Sequence, residues 1–116
     1  MDDFLIDRVL LVVTLIPPGR VATYGDVGRI AGAGPRQVGL ILARHGDGEP
    51  WWRVTNARGD LPGDLLAAAR PYWEAEGIPI RPDGRGARLA STRADQARLT
   101  AEFRAAVSRP GPLRQE

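Results

Sequence analysis

The apolar positions of this chain repeat with the spacing of helices near both ends of the sequence. Residues 3–16 are predicted to form an amphipathic helix, and residues 93–107 are predicted to form another. The apolar faces consist of Leu5, Val9, Val12, Val13 and Ile16 in the first helix and Leu99, Phe103 and Val107 in the second. A Pro-Pro-Gly sequence at 17–19 should end the first helix, because proline has no amide hydrogen to donate.

Two shorter helices are predicted in the N-terminal half, with a tight turn between them. A helix is expected over 24–31, because Thr23 can cap its start and Asp26 follows at the spacing of a capping box. After a Gly-Ala-Gly turn, Pro35 suits the first position of a helix over 35–44. This arrangement is typical of a helix-turn-helix motif.

Short extended segments and one more helix complete the predicted organisation. Residues 20–22 should form an extended connector, 51–54 a short strand, and 78–89 two extended pieces around a turn. A helix is predicted over 65–76, which Pro71 should either kink or divide. The expected fold class is therefore mainly α with short strands.

The length of 116 residues fits one small domain. We expect residues 1–108 to form it and residues 109–116 to be a flexible tail, because the tail lacks apolar periodicity.

Composition excludes several classes of chemistry. The chain has no cysteine and one histidine, His45. It therefore cannot form a disulfide, a thiolate metal site or a cysteine nucleophile, and a histidine-rich zinc site or a Ser-His-Asp triad is disfavoured. A binding module, or an enzyme that uses only carboxylates, remains. No metal and no cofactor is predicted.

Charge and hydropathy favour a cytoplasmic protein. The sixteen basic residues are all arginine, and the net charge of +2 is compatible with nucleic-acid binding without indicating it. The acidic residues Asp2, Asp3 and Asp7 argue against a signal peptide at the N-terminus. No apolar run approaches the ~20 residues that are needed to span a bilayer.

The second helix of a helix-turn-helix motif normally faces DNA, which makes Arg36 and Arg44 candidate DNA contacts. The alternative is that both arginines simply solvate an exposed helical face. Tyr24 follows the helix cap, near amides that favour phosphate, so a contact between its hydroxyl and a phosphate is a hypothesis. Ordinary half-burial against the connector is the alternative for Tyr24.

Adjacent tryptophans on a strand would point to opposite faces, so one of Trp51 and Trp52 is expected to line a surface or a cavity. A tryptophan in a groove can stack on a base, which contributes ~1–3 kcal/mol. For each tryptophan alone, the alternative is a core anchor.

Glu74 and Glu76 are poorly spaced for a catalytic pair. A solvated helix end is their default role, and one buried glutamate bonded to the segment of Trp52 is the alternative.

Four segments of the chain occur together in a characteristic order. They are Ile-Pro-Pro-Gly-Arg-Val-Ala-Thr-Tyr-Gly-Asp-Val at 16–27, Pro-Arg-Gln-Val-Gly at 35–39, Pro-Trp-Trp-Arg-Val at 50–54 and Glu-Ala-Glu-Gly at 74–77. Together they resemble the DNA-binding domain of O6-alkylguanine-DNA alkyltransferases, and more closely the alkyltransferase-like proteins. The resemblance spans roughly residues 4–80 and implies a winged helix-turn-helix domain.

The resemblance implies a role for each matching residue. Tyr24 would press on the phosphate of the target nucleotide, and Arg36 would fill the space that the flipped nucleotide leaves. Arg44 is a candidate DNA contact from its place in the helix-turn-helix motif alone. The implied lesion pocket consists of Trp51, Trp52, Val54 and Arg58. The loop 56–64 departs from the family pattern, so Arg58 and Arg70 are both candidates for probing the damaged base.

Trp51 stands where the repair enzymes of this family carry the cysteine that accepts the alkyl group, in a Pro-Cys-His-Arg motif. Trp52 stands in place of the histidine. With both replaced, Glu76 would keep a structural role, in a network with Arg53 and Asn56.

The function that the resemblance implies is a non-enzymatic sensor of O6-alkylguanine in double-stranded DNA. The sensor would act as a monomer, flip the lesion, bend the duplex and attract nucleotide excision repair proteins. The first alternative is a transcriptional regulator or general DNA-binding protein on the same scaffold, without lesion specificity. The second is an interaction module in which the paired tryptophans contact a protein.

Overall fold

The computed structural model describes residues 2–109, which form six α-helices and a pair of two-residue strands. In chain order the elements are α1 (Asp3–Leu15), β1 (Ala22–Thr23), α2 (Tyr24–Ala31), α3 (Pro35–His45), a 3-10 helix (Trp51–Arg53), β2 (Val54–Thr55), α4 (Gly63–Glu76), α5 (Leu89–Thr92) and α6 (Gln96–Ser108). The predicted fold class, mainly α with short strands and a helix-turn-helix, is confirmed.

The helix-turn-helix is defined by side chains close to one another in sequence. Thr23 and Asp26 form the predicted capping box: the Thr23 hydroxyl accepts from the Asp26 amide, and the Asp26 carboxylate accepts from the Thr23 amide, each at 3.0 Å. Gly32 ends α2 at a φ of +89°, a conformation that glycine adopts without strain. Pro35 occupies the start of α3, as predicted.

Close packing of the two helices depends on Gly28. A Cβ atom at this position would lie 2.2 Å from the carbonyl oxygen of Ala33, so a larger residue would force the turn apart. Because Gly28 has no side chain, the turn can fold back over α2. Val27 and Val38 are then fully buried in the shared core.

Two hydrophobic clusters hold the structure together. The larger one joins α1, α2, α3 and α6 and includes Val9, Val12, Val13, Ile16, Val27, Val38, Ile41, Leu99 and Phe103. The smaller one surrounds Trp73 of α4 and includes Val21, Leu61, Ala69, Ile78 and Ala87. Each fully buried large apolar side chain contributes roughly 1.5–3 kcal/mol. The second cluster fixes α4 beside the segment that carries Trp51 and Trp52.

The predicted strand over 51–54 is wrong for three of its four residues. Trp51–Arg53 form a 3-10 helix, in which the Arg53 amide donates to the Pro50 carbonyl and the Val54 amide donates to the Trp51 carbonyl. The strand begins only at Val54, and β2 pairs in parallel with β1. The alternation argument for two opposed tryptophans therefore does not apply.

The remaining predictions differ at element boundaries. Pro71 lies inside α4, which runs as one helix, so Pro71 does not begin a second one. The C-terminal helix begins at Gln96, because Asp95 caps it and Arg93 pairs with Val21 in a short parallel bridge. Two extended pieces were predicted within 78–89. In the structure this segment forms two isolated antiparallel bridges, one of them between Ile80 and Ala87.

The predicted tail lies outside the described residues from position 110 onwards. Within 2–109, no helix has the length and apolar character to cross a bilayer. The same residues contain no cluster of acidic or histidine side chains suited to a metal ion.

Candidate nucleic-acid interface

A cavity of about 260 Å³ lies beside the helix-turn-helix, and we call it the groove. It is lined by Tyr24, Gly39, Leu42, Ala43, Gly46, Asp47, Trp51, Leu61 and Leu65. Its walls therefore come from the start of α2, the second half of α3, the 3-10 helix and the start of α4. Gly39 and Ala43 contribute small side chains from α3, and aromatic and aliphatic side chains line other parts of the groove.

Tyr24 is half-buried at one wall of the groove, directly after the capping residue Thr23. Burial raises the pKa of its phenol, since ionisation would place a charge in a poorly solvated position. The hydroxyl therefore keeps its proton at neutral pH and can donate a hydrogen bond. A donor of this kind next to a helix start is suited to a phosphate oxygen.

Trp51 forms another wall, and its ring meets two other aromatic rings edge-on. The ring centroids of Trp51 and Trp52 are 5.8 Å apart at an interplanar angle of 85°, and those of Trp51 and Tyr72 are 6.1 Å apart at 76°. Trp52 itself stacks on Tyr72, with a centroid distance of 3.8 Å and an angle of 9°. Trp52 is thus placed behind Trp51, outside the lining of the groove.

Glu76 is the centre of a hydrogen-bond network behind the groove. Its carboxylate accepts from the Trp52 indole at 2.9 Å, from the Gly19 amide at 3.0 Å and from the Arg53 guanidinium at 2.6 Å. Arg53 also donates to the carbonyl of Ile16. The sequence left two alternatives for the glutamates, a solvated helix end and a buried glutamate bonded to the segment of Trp52. Glu76 matches the second alternative.

The charge state of Glu76 follows from these contacts. Burial raises the pKa of the carboxyl group, but the hydrogen bonds from Arg53, Gly19 and Trp52 together outweigh burial and lower it below the usual value. Glu76 is therefore a carboxylate at neutral pH. Its oxygens are occupied by donors of this chain, which leaves it poorly suited to transfer protons.

The candidate arginines of α3 lie at opposite ends of the helix. Arg36 is exposed in the first turn and Arg44 is exposed in the last turn. Within residues 2–109 neither is paired with an acidic side chain. Both guanidinium groups are thus available to an external anion on the helix that also lines the groove.

The structure separates several residues that the sequence assigned to one pocket. Val54 does not line the groove, because its side chain is fully buried in the core. Arg58 lies in a different cavity with Arg81 and is 3.5 Å from Asp60. Arg70 donates to a backbone carbonyl near that second cavity, at Gly84.

Asn56 forms no hydrogen bond with Glu76 in the described structure. Its side-chain oxygen accepts from the amides of Arg58 and Asp60 and thereby shapes the turn after β2. The predicted network therefore consists of Arg53 and Glu76, joined by Trp52, without Asn56.

Several groove residues were missed at the level of sequence. Gly39 and Ala43 are small residues one helical turn apart on α3, a spacing that indicates a close approach on that face. Leu65 retains 39% of its surface exposed, but nothing in the local sequence distinguishes it from a core leucine.

Comparison with known proteins identifies relatives over most of the chain. The family described as 6-O-methylguanine DNA methyltransferase, DNA binding domain, matches residues 5–78. The DNA base-flipping protein of Escherichia coli K12 is 40% identical over 89 residues, which cover 72% of this chain and 69% of that protein. Alkyltransferase-like protein 1 of Schizosaccharomyces pombe is 36% identical over 89 residues, which cover 69% of this chain and 81% of that protein.

Solved structures with the same fold contain DNA. The crystal structure of S. pombe Atl1 in complex with damaged DNA containing O6-carboxymethylguanine matches with a TM-score of 0.71 and 27% identity, over 82% of this chain and 98% of that one. The crystal structure of S. pombe ATL in complex with DNA matches with a TM-score of 0.69, 28% identity and the same coverage.

Proposed function

Because the chain belongs to the alkyltransferase-like proteins, within the family of the 6-O-methylguanine DNA methyltransferase DNA-binding domain, we propose that it senses alkylated guanine in DNA without repairing it. It binds duplex DNA that contains O6-alkylguanine and turns the lesion into the groove. The complex then flags the site for nucleotide excision repair. The observation that carries this proposal is the groove walled by Tyr24 and Trp51 beside α3.

In the proposed complex, α3 and the start of α2 contact the DNA. Arg36, exposed at the first turn of α3, inserts into the base stack and occupies the space of the flipped nucleotide. The hydroxyl of Tyr24 donates to the adjacent phosphate, and Arg44 contacts the backbone further along. Turning out one nucleotide costs a few kcal/mol and less for a poorly paired base, so an alkylated guanine is extruded more easily than an intact one.

The groove receives the flipped base. Its volume of about 260 Å³ is just below the usual range of pockets for drug-sized ligands, as expected for a single nucleobase. Trp51 provides an aromatic face for stacking, and Leu61 and Leu65 provide apolar surface for the alkyl group. An O6-alkyl substituent gains from this apolar lining, whereas the polar edge of unmodified guanine does not.

The chain lacks the means to remove the alkyl group. It contains no cysteine, and tryptophan at position 51 is not a nucleophile. Glu76 is held as a carboxylate by three donors, as described above. We therefore assign recognition alone to the chain, as a monomer in the cytoplasm, and the repair chemistry to other proteins.

The test is a pair of fluorescence titrations at one salt concentration, since affinity for DNA depends on salt. One duplex contains a single O6-methylguanine and its twin contains guanine. We expect tighter binding to the modified duplex, with the lesion recovered unchanged by mass spectrometry. Equal affinity for the two duplexes would contradict the lesion sensor. A preference for one undamaged sequence over alkylated random duplexes would favour a transcriptional regulator.

A further inference from the structure

We propose that Tyr72 is a positioning residue for the groove, because together with Trp52 it forms a stacked brace that holds the Trp51 ring in place. The brace is defined as the side chains of Trp52 and Tyr72. Its contact with Trp51 is independent of DNA, but its part in lesion recognition rests on the function proposed above.

Trp51 needs such support, since it stands between two cavities. One is the groove, and the other, of about 530 Å³, is lined by Trp51, Trp52, Arg53, Tyr72, Thr14 and residues 48–50. The ring of Trp51 is only partly buried. Without a support on its far side, the ring could leave the groove for the second cavity.

The brace supports Trp51 with two rings at once. Trp52 and Tyr72 are nearly parallel, and Trp51 meets both at close to a right angle. Edge-to-face and offset stacked pairs are the arrangements that the charge distribution of aromatic rings favours. Tyr72 is 44% exposed, although burial of its aromatic ring would be favourable.

The brace is anchored in α4. Trp73, next to Tyr72 and fully buried, donates its indole N–H to the Trp52 carbonyl at 2.8 Å. Glu76, one turn further on, accepts from the Trp52 indole. The Arg53 guanidinium lies 5.5 Å from the Trp52 ring. The second half of α4 thus holds Trp52 through Tyr72, Trp73 and Glu76, and Trp52 in turn supports Trp51.

A wall that is already in place lowers the cost of binding a flipped base, since its side chain loses no further rotational freedom. The brace should therefore strengthen binding to lesion-containing DNA more than binding to unmodified DNA. The contacts of Arg36 and Arg44 with DNA do not pass through Tyr72, because these arginines lie on α3.

The position of Trp51 can be measured without DNA, by 19F NMR of protein labelled with 5-fluorotryptophan. The chain has three tryptophans, and Trp51→Phe identifies the resonance of Trp51. In Tyr72→Ala we expect this resonance to move towards that of the free amino acid and to narrow. Tyr72→Phe should keep the parent spectrum, and Tyr72→Leu, which retains apolar bulk without a flat ring, should resemble Tyr72→Ala.

Two controls separate the brace from general damage. The resonance of Trp73 should shift less than that of Trp51 in every Tyr72 variant, because Trp73 is buried in the core and its indole bonds to the backbone of Trp52, not to a side chain of the brace. Phe4→Ala removes another exposed aromatic ring, on α1, and should leave the Trp51 resonance where it is. An unmoved Trp51 resonance in Tyr72→Ala and Tyr72→Leu would overturn the proposal.

The role in recognition is tested by the ratio of affinities for O6-methylguanine and guanine duplexes. We expect Tyr72→Ala to lower this ratio about two- to tenfold, and Tyr72→Phe to restore it. An unchanged ratio, combined with a shifted Trp51 resonance, would refute the role in specificity. If the parent protein shows no preference, the proposed function fails, and the 19F spectra alone still decide whether Tyr72 positions Trp51.

Discussion

The indole N–H of Trp52 donates to the Glu76 carboxylate over 2.9 Å, across 24 positions of the sequence. Arg53, next to Trp52, binds the same carboxylate. One glutamate at the end of α4 therefore fixes the segment that carries Trp51 into the groove.

Replacement of Glu76 should destabilise the fold. Arg53 and Glu76 both retain only 13% of their side-chain exposure, so removal of the carboxylate leaves a largely buried guanidinium without its partner. We expect Glu76→Ala to cost about 3–5 kcal/mol of unfolding free energy. Glu76→Gln, which keeps the size and some hydrogen bonds, should cost about 1–3 kcal/mol. Urea unfolding followed by circular dichroism measures both.

The matched control is Glu74→Gln, which changes an exposed carboxylate on the same helix. This substitution should stay within about 0.5 kcal/mol of the parent protein. Equal stability of Glu76→Ala and Glu74→Gln would mean that the network does not stabilise the fold.

Acid should weaken the protein through Asp26 and Glu76. In each case burial raises the pKa, but charged and hydrogen-bonding partners, above all Arg93 for Asp26 and Arg53 for Glu76, lower it below the unfolded value. The stabilisation is then complete above the unfolded pKa values, which are near 4, and is lost as pH falls through the folded ones. We expect a constant unfolding free energy from about pH 6 to 8 and a decline below about pH 5.

The pH dependence can be assigned to one group with Glu76→Gln. This variant lacks the Glu76 carboxyl, so its stability should decline less steeply in acid than that of the parent. Parallel curves for the two proteins would show that Glu76 does not contribute to the acid dependence.

Arg36→Ala should weaken binding to duplexes with O6-methylguanine. Loss of a charged hydrogen-bonding group from the DNA contact should cost about 1.5–3 kcal/mol, or more than tenfold in affinity. The fold should be unaffected, because Arg36 is exposed. Arg104→Ala removes an exposed arginine from α6 and serves as the control in the same titration. An affinity for Arg36→Ala that equals the control would reject its insertion into DNA.

Tyr24→Phe should reduce DNA affinity without loss of stability. The substitution keeps the ring that packs at the groove and removes only the hydroxyl that we assign to a phosphate. A neutral hydrogen bond is worth about 0.5–1.5 kcal/mol, which corresponds to roughly two- to tenfold in Kd. Fluorescence titration measures the change, and thermal unfolding checks that the fold persists. Unchanged affinity would remove the phosphate contact from the mechanism.

Part of the fold could be predicted because its causes are local. The Thr23–Asp26 capping box, the left-handed Gly32 and Pro35 at the start of α3 each act within a few residues of the chain. Backbone groups at helix ends are satisfied by neighbouring side chains, so short sequence patterns indicate them. The helix-turn-helix followed from these patterns, and its arginines are exposed on α3 as the sequence suggested.

The segment 51–53 shows where local patterns were insufficient. Its residue types favour a strand. However, the Trp73 indole donates to the Trp52 carbonyl, and the Trp52 indole donates to Glu76; both partners of Trp52 lie more than 20 positions away in the sequence. Those contacts favour a compact turn over an extended strand. Val54 was assigned to the pocket by the family resemblance, but the pairing of β2 with β1 places its side chain in the core.

The sequence by itself determined the helix-turn-helix, the absence of a thiol and the arginines of α3, because these depend on composition and on neighbours along the chain. Only the tertiary structure decided the shape of the groove, since α4 contributes Leu65 to its rim and Tyr72 to the support of Trp51. Contacts between segments that are distant in sequence form when the apolar core assembles, and the local spacing of residues does not indicate which of them will be in contact.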